Sequence, residues 1–167
     1  MCPAIAGISG SKGKYMNVGL VNPLLSATVN ILEKVAGISA DVQKPFLKTN
    51  PAGKGAVSGV IALKGNHTGT AAVSFSENCI LQVVSKMFGE EIKELNSDIK
   101  DAVGEITNMI SGLATQLYEK EDLVLKASLD QVLMGNNHSI PHLPDFPVLG
   151  IPVNTEWGEI TVEVCFK

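Results

Sequence analysis

Residues 97–119, SDIKDAVGEITNMISGLATQLYE, predict the helix around which the fold is organised. Their aliphatic side chains recur at spacings of 4, 3, 4, 3 and 4 residues, the periodicity of one buried helical stripe. The stripe consists of Ile99, Val103, Ile106, Ile110, Leu113 and Leu117. We therefore predict a long helix over about Asp98–Glu119, with Ser97 as its N-terminal cap.

The rest of the chain has the pattern of two shorter helices and six extended segments. Asn22-Pro23 opens the first predicted helix, which ends near Gly37. The second starts at Ser76-Glu77 and runs through Met87, and Gly89 ends it. The extended segments are Val42–Lys48, Ala56–Lys64, Thr68–Phe75, Leu123–Met134, Val148–Thr155 and Glu159–Phe166. A Gly-Asn turn at 65–66 joins two of them into an antiparallel hairpin, whereas the Pro- and Asn-rich segment 135–147 is predicted to be a loop.

A weak internal repeat relates the two halves of the chain. SATVNIL at 26–32 aligns with GEITNMI at 104–110, an offset of 78 residues, and 59–76 aligns with 150–167, an offset of 91. The two offsets differ by 13 residues, which is the length of the predicted loop. Duplication of one unit accounts for this pattern, and chance similarity between amphipathic segments is the alternative.

These features predict an α+β fold of two pseudo-repeated helix-plus-three-strand units around a pseudo-twofold axis, with one sheet covered by helices. The units cover about 20–90 and 96–167 within a single domain of residues 16–167. A chain of 167 residues, 45% of them hydrophobic, is long enough for one such core. The small, flexible residues of 1–15 are predicted to form a tail without the features of a secretory signal.

Charge and composition exclude several classes of function. The net charge is −4 and all 13 cationic residues are lysines, so the guanidinium groups typical of nucleic-acid binding are missing. No apolar run approaches the roughly 18 residues that a membrane span requires. The three widely spaced cysteines favour free thiols in a cytoplasmic protein over a disulfide framework.

Two motifs that resemble metal or cofactor sites fail on their context. His138 and His142 have a zinc-binding spacing, but Pro141 lies between them, so they are predicted to be surface loop residues. The segment GISGSKGK at 7–14 has the glycines and lysines of a phosphate-binding loop, but its spacing does not match. We therefore predict that the chain has no metal or cofactor of its own.

The outward face of the long helix carries an unusual set of residues. Glu105 and Asn108 are neighbours one turn apart on this face. The small or polar residues also predicted there, as candidate partner contacts, are Asp101, Gly104, Ser111, Gly112 and Thr115. Each glycine inside a helix costs roughly 0.5–1 kcal/mol relative to alanine. Either another molecule approaches the backbone here, or the two glycines admit a neighbouring helix of the same chain.

The sequence around this pair resembles the CheC/CheX/FliY family, and within it the CheX branch. The similarity is carried by Glu105-x-x-Asn108 in DAVGEITNMISG (101–112), by NPLLSATVNILEKVAG (22–37) and by the strand-rich close, and it extends from about Tyr15 onward. These bacterial phosphatases remove the phosphoryl group from the chemotaxis response regulator CheY. The resemblance implies a hydrolase that acts on the aspartyl phosphate of a CheY-like receiver domain, and a homodimer.

The family's two functional side chains fall on Glu105 and Asn108. The resemblance implies that Asn108 orients the attacking water, that Glu105 binds the regulator's active-site lysine, and that Mg²⁺ belongs to the regulator. With the offset of 78, Ala27 lies opposite Glu105 and Asn30 opposite Asn108, so the first half lacks a complete second pair. We interpret Asn30 as a packing or capping residue.

Two other functions also fit the sequence. One is a non-catalytic docking or scaffold module that binds a receiver domain without turnover, although the presence of both Glu105 and Asn108 counts against it. The other is a small-molecule sensor that uses the loop 135–147 as a lid. Accelerated phosphate release from a phosphorylated receiver would separate the phosphatase from both alternatives.

Overall fold

The computed structural model describes residues 18–167, which form three helices and seven strands. In chain order these are α1 Val18–Ala36, β1 Asp41–Val42, β2 Phe46–Lys48, β3 Val57–Gly65, β4 Thr68–Phe75, α2 Glu77–Phe88, α3 Ser97–Lys120, β5 Leu125–Met134, β6 Val148–Thr155 and β7 Gly158–Phe166. The tail predicted for 1–15 lies outside the described residues.

All seven strands belong to one antiparallel sheet in the order β1-β6-β7-β4-β3-β5, with β2 also paired to β6. The hairpins β3–β4 and β6–β7 meet in the middle, where β4 pairs with β7. Strand β5 then adds to β3, while β1 and β2 add to β6. Each hairpin is therefore extended by a strand from the other half of the chain, and the predicted α+β fold with a single sheet is confirmed.

Helices cover one face of this sheet. Helix α3 packs on β5, β3 and α1, and α2 packs on α1, α3 and β7. The aliphatic residues of that sheet face join those of the helices in one continuous core. On the opposite face, Ile140 of the loop 135–147 packs on Val60 and Ala72. Within residues 18–167, no helix is long and apolar enough to cross a membrane.

The predicted helix ends agree with the structure better than the predicted starts. Gly37 and Gly89 end α1 and α2 with φ values of +62° and +68°, a left-handed conformation that glycine adopts without strain. The start predicted for α1 is wrong, because Pro23 lies inside the helix. Leu20 and Val21, which precede the proline, are buried in the core, and this burial favours helical structure upstream of it.

The cap predicted for α3 is also wrong by one residue. Asn96, not Ser97, has the extended backbone of a cap, with φ −146° and ψ −173°. Its side-chain oxygen accepts hydrogen bonds from the backbone N–H groups of Asp98 (3.0 Å) and Ile99 (3.1 Å). Ser97 is already helical, so its hydroxyl is not the group that closes the helix start.

The strand register corrects one match in the predicted repeat. Gly59 shares its sheet face with Ile151, through the successive pairs with Val73 and Val162. Gly150, the neighbour of Ile151, therefore points to the opposite face, and the predicted match of the two glycines is wrong. The reason is that three residues separate the last paired positions of the β3–β4 hairpin, and two those of β6–β7.

Candidate active site on helix α3

Helix α3 exposes a narrow row of residues along its outer side. We call the exposed residues spaced three or four apart the exposed stripe: Asp98, Asp101, Glu105, Asn108, Gly112, Gln116 and Glu119. Glu105 and Asn108 lie near its middle. Within residues 18–167, neither of these two side chains makes a hydrogen bond or an ion pair. Both groups are therefore available to a second molecule.

The inner side of α3 is buried over a wider arc than predicted. The first four residues of the predicted stripe have no exposed surface: Ile99, Val103, Ile106 and Ile110. Leu113 and Leu117 are only half-buried, whereas Tyr118 is fully buried and its hydroxyl donates to the carbonyl of Leu20 on α1 (2.6 Å). Burial raises the pKa of Tyr118 above its ordinary value.

A glycine in the sheet lets α3 lie directly on β3. The buried hydroxyl of Thr107 donates to the carbonyl of Val103 one turn earlier (2.7 Å). A side chain on Gly59 would overlap this hydroxyl, so only glycine allows the helix to approach so closely. The residue after Thr107 is Asn108, whose position above the sheet is thereby fixed.

On the side of α3 that faces β5, two of the predicted partner contacts are covered by the chain itself. Ser111 is only 3% exposed. Thr115 donates to the Ser111 carbonyl (2.9 Å) and accepts from the backbone N–H of Ala127 on β5 (3.0 Å). The prediction that Ser111 and Thr115 face outward is wrong, because α3 packs against β5 as well as α1 and both sides are covered.

The two glycines of α3 have different surroundings, and neither admits a neighbouring helix. A methyl group on Gly104 would lie 3.6 Å from Val132 Cγ2 and 3.9 Å from Leu129 Cδ2, which are ordinary contacts with β5. A methyl group on Gly112 would meet no described atom within 4 Å. Packing within residues 18–167 therefore does not require a glycine at Gly112, which stays exposed together with Asp101.

Two equivalent threonines align α1 with α3 at an offset of 79 residues (107 − 28), one more than the predicted 78. Thr28 and Thr107 are both fully buried, and each donates to the carbonyl four residues earlier, at 2.8 and 2.7 Å. At this offset the following pairs are buried in both helices: Leu20 and Ile99, Leu24 and Val103, Ala27 and Ile106, Ile31 and Ile110, and Leu32 and Ser111. The offset of 78 also pairs buried residues, including Val21 with Ile99, Leu25 with Val103 and Leu32 with Ile110, so the offset of 79 rests on the two threonine hydrogen bonds.

With the threonines aligned at an offset of 79, α1 carries no second carboxylate and amide pair. Ser26 and Val29 now lie opposite Glu105 and Asn108, and both are half-buried. At the offset of 78, Asn30 lies opposite Asn108 and both are exposed, but Ala27 opposite Glu105 is fully buried and has no carboxylate. Within the described residues, only α3 carries a carboxylate and an amide at these positions.

The two histidines of the loop 135–147 hold it on the second face of the sheet. His138 Nε2 lies 2.6 Å from the hydroxyl oxygen of Ser58, and His142 Nδ1 lies 2.7 Å from that of Thr70. Both histidines are half-buried, so the prediction of surface loop residues is wrong. A loop anchored in this way does not have the free surface expected of a mobile lid.

Buried charges complete this anchor. His142 Nε2 lies 2.9 Å from Glu163 Oε2, and Lys48 Nζ lies 2.6 Å from Glu163 Oε1, with side chains that are at most 7% exposed. The geometry is that of a buried charge held by two partners, which is the usual condition for burying a carboxylate. In the described part of the chain, no three His, Cys, Asp or Glu side chains are grouped so that they could hold a metal.

Cys79 and Cys165 are free thiols in the interior. Burial raises the pKa of both, although hydrogen bonds oppose the shift, with the Thr155 side chain at Cys79 and mainly with the Leu143 backbone at Cys165. Buried thiols with a raised pKa are poor nucleophiles, so neither is a candidate for covalent chemistry. Cys2 lies outside the described residues.

The residues of β5 beside Gly104 are missing from the predicted site. Leu129 and Val132 both contact the position of a Gly104 side chain, although they are three residues apart on a strand. A sequence signal for this exists: apolar residues alternate at 125, 127 and 129 and then resume at 132 and 134. A step of three in an alternating pattern indicates a bulge, which a search for regular strands passes over.

The fold and the site together define a class of protein. In this class two hairpins pair within one antiparallel sheet, and the longest helix exposes a Glu-x-x-Asn pair. The chain belongs to the chemotaxis phosphatase CheX family, whose model matches residues 57–154. The CheY-P phosphatase CheX of Thermotoga maritima is 31% identical over 98 residues, which are 58% of this chain and 63% of that protein. The match thus spans less than two thirds of the curated relative.

Solved structures agree with this assignment. The chemotaxis protein CheX of Desulfovibrio desulfuricans is 38% identical, with a TM-score of 0.80 over 89% of this chain and 99% of that one. CheX of Borrelia burgdorferi, solved as a CheX-CheY-BeF₃-Mg²⁺ complex, has a TM-score of 0.71 at 21% identity, over 89% and 97% of the two chains. At that identity the second likeness shows the fold alone.

Proposed function

We propose that this chain is a phosphatase that hydrolyses the aspartyl phosphate of a CheY-like receiver domain, with Asn108 and Glu105 as its working residues. The observation that carries the proposal is the availability of this pair. Both side chains are exposed one turn apart, and neither is engaged within residues 18–167. No internal hydrogen bond has to break before they bind a second molecule.

Asn108 orients the attacking water in this proposal. An aspartyl phosphate is an activated anhydride, so its hydrolysis is accelerated mainly by placing a water molecule in line with phosphorus. A carboxamide can accept a hydrogen bond from that water and donate one, as a glutamine does in small GTPases. A carboxylate at the same place would be repelled by the phosphoryl oxygens.

Glu105 pairs with the active-site lysine of the receiver and thereby aligns its neighbour Asn108. The carboxylate acts as an anchor and transfers no proton. The name of the Thermotoga relative, a CheY-P phosphatase, supports a phosphorylated CheY-like receiver as the partner. The Borrelia complex of CheX with CheY supports the same partner. Asp101, Gly104 and Gly112 remain the proposed contacts around the pair.

The proposal also assigns the surroundings of the reaction. Mg²⁺ belongs to the receiver, as a component of the Borrelia complex, and this chain contributes no metal of its own. The reaction takes place in the cytoplasm, in keeping with the free buried thiols of Cys79 and Cys165.

A homodimer is part of the proposal, formed through the sheet edge at β1 and β2. Leu47 of β2 is 70% exposed at this edge, and a large apolar side chain on an edge strand favours association. Leu47→Asp is expected to convert the dimer to a monomer, measured by light scattering. An unchanged mass would contradict this edge as the interface.

The test of the proposed function is phosphate release from a receiver phosphorylated by a small-molecule donor in the presence of Mg²⁺. Catalytic amounts of the wild-type protein are expected to accelerate release, and Asn108→Ala is expected to lose most of that acceleration. A docking module would instead bind the activated receiver and leave its decay unchanged. Equal activity of wild type and Asn108→Ala would refute the assigned mechanism.

A further inference from the structure

Strand β5 carries a β-bulge beside the exposed stripe. Its antiparallel pairing with β3 shifts by one residue between Val60 and Ile61, which leaves Asp130 as the extra residue on β5. A bulge bends its strand and redirects the side chains that follow, and bulges are frequent next to functional sites.

The bulge brings two apolar residues to the same side of β5. Leu129 and Val132 would face opposite sides of a regular strand, yet both lie next to Gly104 of α3. Each is half-buried, while Asp130 and Gln131 between them are exposed. We call residues 129–132 the bulge shelf. Through Gly104, the shelf continues the exposed stripe sideways onto the sheet.

The edge of β5 is poorly suited to pairing with another strand. Within the described sheet, β5 pairs with β3 alone. The N–H of Ala127 is already used by the Thr115 hydroxyl, and the bulge and the charge of Asp130 interrupt the edge further along. These are devices that prevent strand addition. The shelf therefore presents side chains, which suits a folded partner better than a second copy of this sheet.

The charges around the shelf indicate the chemistry of that partner. The charged residues of the exposed stripe are the acids Asp98, Asp101, Glu105 and Glu119, while exposed Lys100 on α3 and Lys126 on β5 lie outside it. Asp130 adds a further carboxylate beside the two apolar residues. An apolar centre with an acidic rim complements a surface with an apolar centre and a basic rim.

We propose that the bulge shelf is a second docking surface for the receiver domain, where Leu129 and Val132 pack against it and Asp130 faces a basic group. This inference rests on the proposed function, since the occupant is the same receiver. Continuity with Glu105 and Asn108 through Gly104 is the reason for this occupant, because a domain bound to the pair extends over the adjacent strand. The shelf acts on binding and leaves the chemical step to Asn108.

The test compares two charge reversals at exposed acids, Asp130→Lys on the shelf and Glu33→Lys on α1. Binding of the BeF₃⁻-activated receiver and steady-state dephosphorylation are measured for both variants. For Asp130→Lys we expect Kd and KM to rise about tenfold and kcat to stay within about twofold, because a rim charge acts on association. For Glu33→Lys, whose side chain is also exposed, we expect no change.

A second variant separates contact from long-range repulsion. Val132→Thr keeps the shape of the half-buried side chain and replaces one methyl group by a hydroxyl, so it is expected to weaken receiver binding about threefold without any change in charge. Thermal unfolding of each variant checks that the fold is intact. A light-scattering mass that changes with Asp130→Lys while receiver affinity is unchanged would assign the shelf to a second copy and overturn the inference.

The remaining outcomes distinguish the two proposals. If Asn108→Ala loses activity while Asp130→Lys and Val132→Thr bind the receiver as tightly as the wild type, the shelf is refuted and the proposed function stands. If the wild-type protein neither binds the activated receiver nor accelerates its decay, the proposed function fails and the shelf fails with it.

Discussion

Helices α1 and α3 bury an equivalent threonine and differ in what they expose. Thr28 and Thr107 make equivalent hydrogen bonds inside the core. At the same offset, the pairs of residues on the outer sides are Glu105 and Ser26, Asn108 and Val29, and Gly112 and Glu33. One helix thus exposes an acid, an amide and an open backbone position where the other has a hydroxyl, an aliphatic residue and an acid.

The difference teaches which features report the fold and which report the function. Similar buried residues are required by one shared core, so they would be found in both helices whatever each does. The outer side has no such constraint. Val29 has no polar side-chain group and cannot orient water. The side chain of Ser26 is shorter than that of a glutamate, and its hydroxyl is uncharged. Of these two helices, only α3 has the groups that the proposed site requires.

The largest effect on activity is expected when Asn108 loses its polar group and so resembles Val29, the residue opposite it on α1. Asn108→Ala should lower the dephosphorylation rate roughly 5- to 150-fold, since one or two hydrogen bonds to the attacking water are worth about 1–3 kcal/mol. Asn30→Ala, also an exposed asparagine on a helix, is the matched control and should retain full activity. Similar losses in both variants would break the distinction between the helices.

Removal of the proposed anchor should have the next largest effect. Glu105→Ala is expected to lower kcat/KM about 5- to 20-fold, with changes in both KM and kcat, because one charge-assisted contact both holds the receiver and aligns Asn108. Glu33→Ala removes an exposed acid from α1 and should change neither constant. A Glu105→Ala variant with wild-type kinetics would exclude the anchor.

Substitution of Gly112 should raise the stability of the protein and weaken its activity toward the receiver. Gly112→Ala is expected to raise the free energy of unfolding by roughly 0.5–1 kcal/mol, because alanine favours the helix and the new methyl group meets no described atom. The same methyl group should raise KM about threefold, because it keeps the receiver away from the helix backbone. Gln116→Ala on the same stripe is the control. Higher stability with an unchanged KM would remove Gly112 from the contact surface.

The smallest effect on activity is expected at the bond that joins the two helices. Tyr118→Phe removes the hydrogen bond to the Leu20 carbonyl and should lower the free energy of unfolding by about 1 kcal/mol, with kcat unchanged. Chemical denaturation at pH 8 measures the first effect, and the phosphatase assay measures the second. A loss of kcat larger than the loss of folded protein would show that the core and the site are coupled.

The same variant also has an expected pH dependence. Burial raises the pKa of Tyr118 in the folded state, so the folded protein holds the phenolic proton at a pH where the unfolded chain releases it. This contribution to stability is complete below the unfolded pKa of about 10 and falls as the pH rises above it. The advantage of the wild type over Tyr118→Phe should therefore shrink between pH 9 and about pH 11.

The parts of the fold that depend on local pattern could be predicted from the sequence. Alternation of apolar residues located the strands, and helical periodicity located α3, because both patterns follow directly from backbone geometry. Gly37 and Gly89 marked helix ends because a left-handed residue is best supplied by glycine. The exposure of Glu105 and Asn108 followed from the same periodicity and is confirmed.

The parts that depend on tertiary contacts could not be predicted. A single apolar stripe does not reveal that α3 is covered by β5 on one side and α1 on the other, so Ser111 and Thr115 were placed outside. The partners of His138 and His142 lie on strands that are distant in the sequence. The bulge at Asp130 could be predicted from the break in the alternation of apolar residues. Its position beside Gly104 depends on how α3 packs on the sheet, which the sequence pattern does not show.

The exchange of outer strands between the two halves has a consequence for how the protein can be divided. Helix α3 rests on β5, from its own half, and on β3, which belongs to the other half and supplies the glycine under Thr107. A fragment that began after α2 would keep every residue of the Glu-x-x-Asn motif but would lose β3, the strand on which this part of α3 packs. The presence of the Glu-x-x-Asn motif in a fragment therefore does not imply the proposed activity, because the support for the motif comes from both halves of the chain.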